Sequence, residues 1–139
     1  MGKIIAFDTN CFIYLVENHP KFKPLIEEIF NQAGNDEIKL VSSVVTTAEV
    51  MVRPLKLKNK SLIDLYKSIF QAFPNLILMP IDLEASFLAA ELRAKYDIKL
   101  PDAFQLAAAI QAGANFFLSN DEKLKKVKEI KVTLLRNII

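Results

Sequence analysis

Four acidic residues occupy positions that solvent-facing acids rarely take. Asp8 directly follows the apolar run KIIAF, and Asp121 closes the run NFFLSND. Glu49 lies in VVTTAEVMV, where i−4 and i+3 spacing puts it on one helical face with Val45 and Val52. Asp102 stands in the first turn of LPDAFQLAAAIQA, a segment apolar nearly all round and therefore expected to be buried. Other acids have ordinary surroundings: Glu27 and Glu28 on an amphipathic helix, Asp36 and Glu37 in a turn, Glu122 and Glu129 among lysines. Singly, the four have structural explanations as a turn former, a helix cap or a partner of a helix dipole. Glu49 fits these least, because burying an unpaired carboxylate is expensive. Gathered at one place, four carboxylates would repel and push one another's pKa values up unless cations offset the charge. With no histidine or cysteine near them except Cys11, the donors would be hard oxygens, which select Mg²⁺ or Mn²⁺ over zinc. Carboxylate-held divalent ions suit phosphodiester hydrolysis, since they generate hydroxide from water and steady the leaving oxygen. Asn10, Ser119 and Asn120 flank the acids and are candidates to orient them.

Competing chemistries lack their residues. A single cysteine forms no internal disulfide, and the single histidine, His19, builds no zinc cluster alone. A Cys11–His19 nucleophile pair is weighed against a buried, inert thiol, the commoner fate of a lone cysteine. Three glycines supply no GxGxxG, GxxxxGK[ST] or GxSxG motif. An aspartyl-phosphate phosphatase needs a second acid two residues after Asp8, where Asn10 stands, and the flanking acids and lysine of a receiver domain are also missing. A non-enzymatic module that binds RNA or a protein remains the other alternative. The formal charge of +2 says little, but setting the four acids aside leaves 12 acids against 18 Lys+Arg, a surround of +6 that would attract a polyanion. Arg53, Arg93, Lys56–Lys60 and Lys123–Lys128 are the candidate phosphate contacts.

The elements that must position these residues follow from apolar patterning. Runs at Lys3–Phe7, Ile38–Ser42, Leu76–Met79, Asn115–Leu118 and Lys131–Leu135 are expected strands. Helices are expected over Pro20–Ala33, Val44–Arg53, Ser61–Phe73, Asp82–Tyr96 and Pro101–Ala112, with a short one at Asp121–Lys128. Pro54 and KLKNK should end the second, Asp82 should cap the fourth, and Gly113 should close the fifth. Cys11–Val16 (CFIYLV) is apolar enough to supply either core or an interface. Alternating strands and helices imply an α/β fold, a mostly parallel sheet covered on both faces, whose ligands bind beyond the carboxyl ends of the strands. At 139 residues, 52% hydrophobic and 24% charged, the chain suits one soluble domain over 1–139. No apolar run approaches membrane-spanning length and the N-terminus is no signal peptide, so a cytoplasmic protein is expected.

FDTN at the start, the acid in TTAEV, LPDAFQLAAA and LSND together resemble PIN-domain nucleases, specifically the VapC-like toxins of toxin–antitoxin pairs. The likeness runs through essentially the whole chain in motif order and spacing. It implies a three-layer α/β/α fold with a five-stranded sheet ordered 3-2-1-4-5. It also implies an acidic quartet of Asp8, Glu49, Asp102 and Asp121 holding one or two Mg²⁺ or Mn²⁺ ions, supported by Asn10 and Ser119. Ser119 stands where the family often has threonine, and Arg93 precedes LPDA much as an arginine does in toxin members. The implied activity is endoribonuclease cleavage of RNA, with homodimerisation and inhibition by a small antitoxin. Relatives that process RNA without an antitoxin share the same pattern.

Overall fold

The computed structural model describes residues 2–138. Five parallel strands form one sheet: β1 (Ile4–Phe7), β2 (Lys39–Ser43), β3 (Leu76–Met79), β4 (Phe116–Ser119) and β5 (Val132–Leu134), in the order β3-β2-β1-β4-β5. The first strand is thus central, with Ala6 opposite Val41 on one side and Phe117 on the other. Six α-helices cover the sheet: α1 (Thr9–Val16), α2 (Lys23–Gly34), α3 (Val44–Lys56), α4 (Lys60–Ala72), α5 (Leu83–Tyr96) and α6 (Leu100–Gln111).

The two-residue period of a strand divides the core into two layers. Ala6, Val41 and Phe117 face one cluster, with Ala89 and Leu92 of α5 and Ala103 and Leu106 of α6. Their neighbours Phe7, Leu40 and Leu118 face the other, with Phe12 of α1, Ile26 of α2, Val50 of α3 and Tyr66 of α4. Such buried, near-continuous apolar strands are what a parallel sheet covered on both faces requires.

Several helix boundaries follow the expected chemistry. Asp82 caps α5 by accepting from the Ala85 N–H at 2.8 Å. Gly113, at φ 71°, closes α6: its N–H reaches the Ile110 carbonyl and that of Ala114 reaches Ala109, the paired bonds of a Schellman ending. Pro54, by contrast, does not stop α3, which continues to Lys56. An interior proline forfeits a backbone hydrogen bond, but this one is buried in the last turns, where packing of the ring offsets the loss. The expected short helix is a 3₁₀ helix at Glu122–Lys126. Cys11 and Phe12 belong to the core, while Ile13–Val16 pack against it half-buried. Among the described residues no helix is long and apolar enough to cross a membrane.

Candidate active site

The sheet order brings the carboxyl ends of β1, β2 and β4 side by side, and the four acids lie around this rim. Asp8 ends β1 and caps α1; its own N–H donates to the Leu118 carbonyl, which fastens it to the end of β4. Asp8 is only 5% exposed. Its Oδ1 accepts from the Thr9 N–H at 2.7 Å and its Oδ2 accepts from the Ser119 hydroxyl at 2.5 Å. Ser119, fully buried at the end of β4, accepts in turn from the Asp121 N–H at 2.9 Å. One hydroxyl therefore joins the acids of β1 and β4. Asp121 caps the 3₁₀ helix through the Lys123 N–H at 3.0 Å.

Glu49 is not buried as its company in sequence suggested. The inner face of α3 carries Thr46, Val50 and Pro54, whereas Val52 is 50% exposed and Glu49 lies on the open side. A hydrogen-bonded cluster absent from the sequence reading holds the Glu49 carboxylate. Glu49 Oε1 accepts from the Thr9 hydroxyl at 2.6 Å and from Gln105 Nε2 at 2.5 Å; Gln105 also donates to Thr9 Oγ1 at 2.8 Å. Gln105 is 2% exposed, and its Oε1 has no hydrogen-bond partner despite burial. One amide thus links α1, α3 and α6, each bearing or adjoining an acid. The available signal was a single polar residue three positions after Asp102 on an otherwise apolar face.

Burial and mutual repulsion show in the titration of the acids. Burial, partly countered by the Ser119 and Thr9 hydrogen bonds, and with repulsion from Asp102 and Glu49 added, raises Asp8 from 3.8 to about 6. Asp102, half-buried at the start of α6, is raised as well, first by burial and then by Asp121 and Glu49, while Lys99 and Lys123 lower it. Among the described residues no three His, Cys, Asp or Glu side chains converge closely enough to share one ion. The reason is visible: Glu49 is folded onto Thr9 and Gln105, and Asp121 onto a backbone N–H. The donor set nevertheless fits a hard divalent cation, consisting of carboxylate oxygens that already disfavour one another's charge.

The other candidates are placed more plainly. Asn10, in the first turn of α1, is exposed and makes no side-chain hydrogen bond among the described residues. Asn120 accepts from the Arg136 N–H and its carbonyl takes the Arg136 guanidinium, so it secures the C-terminal segment rather than an acid. Arg53 pairs with Glu17 at 3.7 Å, and Arg93 donates to the Ile98 carbonyl at 2.7 Å, bracing the turn before α6. Cys11 donates to the Leu118 carbonyl, and burial pushes its thiol well up; His19 Nδ1 instead accepts from the N–H groups of Lys21 and Phe22. These two do not form a nucleophile pair.

The PIN-domain family model matches residues 5–130. Among curated proteins none matches the chain significantly. Solved structures share the fold. The VapBC2 complex of Rickettsia felis, bound to a DNA fragment from its promoter, has a chain 21% identical at a TM-score of 0.73, covering 94% of this chain and 98% of that one. A toxin–antitoxin complex from Klebsiella pneumoniae gives 20% identity and 0.71, with 94% and 97% covered. A FitAcB chain from Neisseria gonorrhoeae gives 18% and 0.70, with 95% and 98% covered.

Proposed function

Because the chain belongs to the PIN-domain family, a family of nucleases, we propose that it is a divalent-metal-dependent endoribonuclease and the toxin of a toxin–antitoxin pair. The observation that carries this reading is the rim itself: four carboxylates from separate elements, one of them buried and raised to about 6. Storing such charge at the end of a parallel sheet costs stability, which a structural role does not require. The toxin assignment draws on the whole-length likeness to chains of toxin–antitoxin complexes.

Asp8, Asp102, Asp121 and Glu49 would hold Mg²⁺ or Mn²⁺, as one ion or two. When bound, such an ion supplies an ionised water at neutral pH and charge neutralisation at the scissile phosphate. The chain's own contribution is positional. Ser119 fixes Asp8 relative to Asp121, while Thr9 and Gln105 fix Glu49 relative to α6. Asp8 is a poor phosphoryl acceptor, since it is buried and both its oxygens are engaged. A small protein antitoxin, a homodimer and a cytoplasmic setting complete the proposal.

Cleavage of end-labelled RNA of mixed sequence is the test, run with Mg²⁺, with Mn²⁺ and with EDTA, beside Asp102→Asn. Metal-dependent products missing from the variant are expected. Products that persist in EDTA, or at the wild-type rate in Asp102→Asn, would refute the assignment.

A further inference from the structure

Beside the acid rim lies a cleft of about 180 Å³ between α6 and the 3₁₀ helix Glu122–Lys126. Asp97, Asp102 and Asp121 line it together with Lys99, Lys123 and Lys126. These lysines come from two elements. Lys99 is the residue before α6, and the others lie on the 3₁₀ helix, where Leu124 turns into the core. None of the three has a carboxylate within ion-pairing distance among the described residues. Other cations are engaged elsewhere: Arg53 with Glu17, Lys60 with Asp64, Lys95 with Glu129, Arg136 with Glu122, and Lys125 with the Val132 carbonyl. Lys56 is free but stands two turns beyond Glu49, ~10 Å along α3. Three lysines without an ion pair among the described residues thus line a concave site that shares two of the rim's acids.

We propose that this cleft seats a backbone phosphate of the RNA strand, one flanking the bond to be cut, so that the strand runs off the rim between α6 and the 3₁₀ helix rather than across α3. The inference rests on the nuclease reading for the word "flanking", though not for the binding itself. Once Asp102 and Asp121 are committed to a cation, the cleft's three lysines face Asp97 alone, and the excess positive charge complements a phosphodiester. Three ammonium groups reaching from two elements grip a phosphate as point charges and read no base, as expected of contacts that position a strand.

The experiment measures fluorescence anisotropy of a labelled single-stranded RNA of mixed sequence. Asp8→Asn protein in saturating Mg²⁺ serves as the background, so that Asp102 and Asp121 still hold a cation while nothing is cut. Adding Lys99→Ala, Lys123→Ala and Lys126→Ala together should weaken binding at least ~10-fold and lower the slope of log K against log salt by about 2, three contacts at roughly 0.7 each. A control triple of equal charge, Lys56→Ala, Lys58→Ala and Lys67→Ala, should shift binding less than about threefold, since its residues are exposed outside the cleft. Equal losses in the two triples, or an unchanged salt slope in the first, overturn the proposal. With Asp8 restored, the cleft triple should raise KM and leave kcat nearly unchanged. If the wild type cuts no RNA while the cleft triple alone loses binding, the cleft stands and the nuclease reading falls.

Discussion

Replacing Asp8 with asparagine should make the metal-free protein more stable, and the size of the gain follows from the site. The carboxyl is raised from 3.8 to about 6, mainly by burial, so keeping it ionised in the fold costs ~3 kcal/mol at neutral pH. Asparagine removes that cost and can still accept from the Thr9 N–H. It cannot accept from Ser119 with its amide nitrogen, so the Ser119 hydroxyl loses its acceptor at a cost of about 1 kcal/mol. The net is about 2 kcal/mol, or roughly 5–8 °C in Tm for a chain of this length. The sign in pH is fixed by the direction of the shift. An acid with a raised folded pKa contributes no penalty below its unfolded value, and the penalty grows until pH passes the folded value. The advantage of Asp8→Asn should therefore be full above about pH 6 and gone near pH 4. Thermal melts of both proteins in EDTA across that range provide the assay. Added Mg²⁺ should raise the Tm of the wild type more than that of the variant, which keeps three of the four acids. A variant less stable than wild type at neutral pH, or an advantage that ignores pH, would refute the account of Asp8.

Two further outcomes test the scaffold of the site. Gln105→Leu removes both donors that hold Glu49 and Thr9 to α6; Mn²⁺ affinity by titration calorimetry should fall about 10-fold or more. Unchanged affinity in a folded Gln105→Leu protein would leave Glu49 independent of the amide. Phe12→Ala empties a fully buried position between Phe7 and Phe70, at ring distances of 5.4 and 5.1 Å. It should cost about 3–5 kcal/mol in chemical denaturation, with a loss below 1 kcal/mol contradicting the packing described.

Much of the scaffold was legible because its signals are local. Each strand centres on a short apolar run, β1 running into Asp8 and β4 ending at Ser119, and caps such as Asp82 and Gly113 announce helix ends within a few positions. The strand order is a different matter. Nothing in KIIAF says that its neighbours are KLVSS and FFLS, and the order 3-2-1-4-5 was available only through the family resemblance. Pro54 misled because its cost was judged without the buried packing that offsets it. Glu49 misled in the opposite direction: apolar neighbours at helical spacing implied burial, yet α3 turns its Thr46–Val50–Pro54 face inward. The Thr9–Gln105–Glu49 cluster and the tie from Arg136 to Asn120 join residues far apart in sequence, so no window of the chain contains them.

The central place of β1 also sets a clock. Asp8 leaves a ribosome long before its partners: its backbone bond to Leu118 and its bond to Ser119 await residues more than a hundred positions later. At roughly 5–20 residues per second, that wait is on the order of ten seconds. During it β1 can pair with β2 on one flank only, and the acid of β4 does not yet exist. A nascent or interrupted chain that stops short of β4 therefore has no complete quartet, so the proposed cutting activity can begin only once β4 and Asp121 have been made.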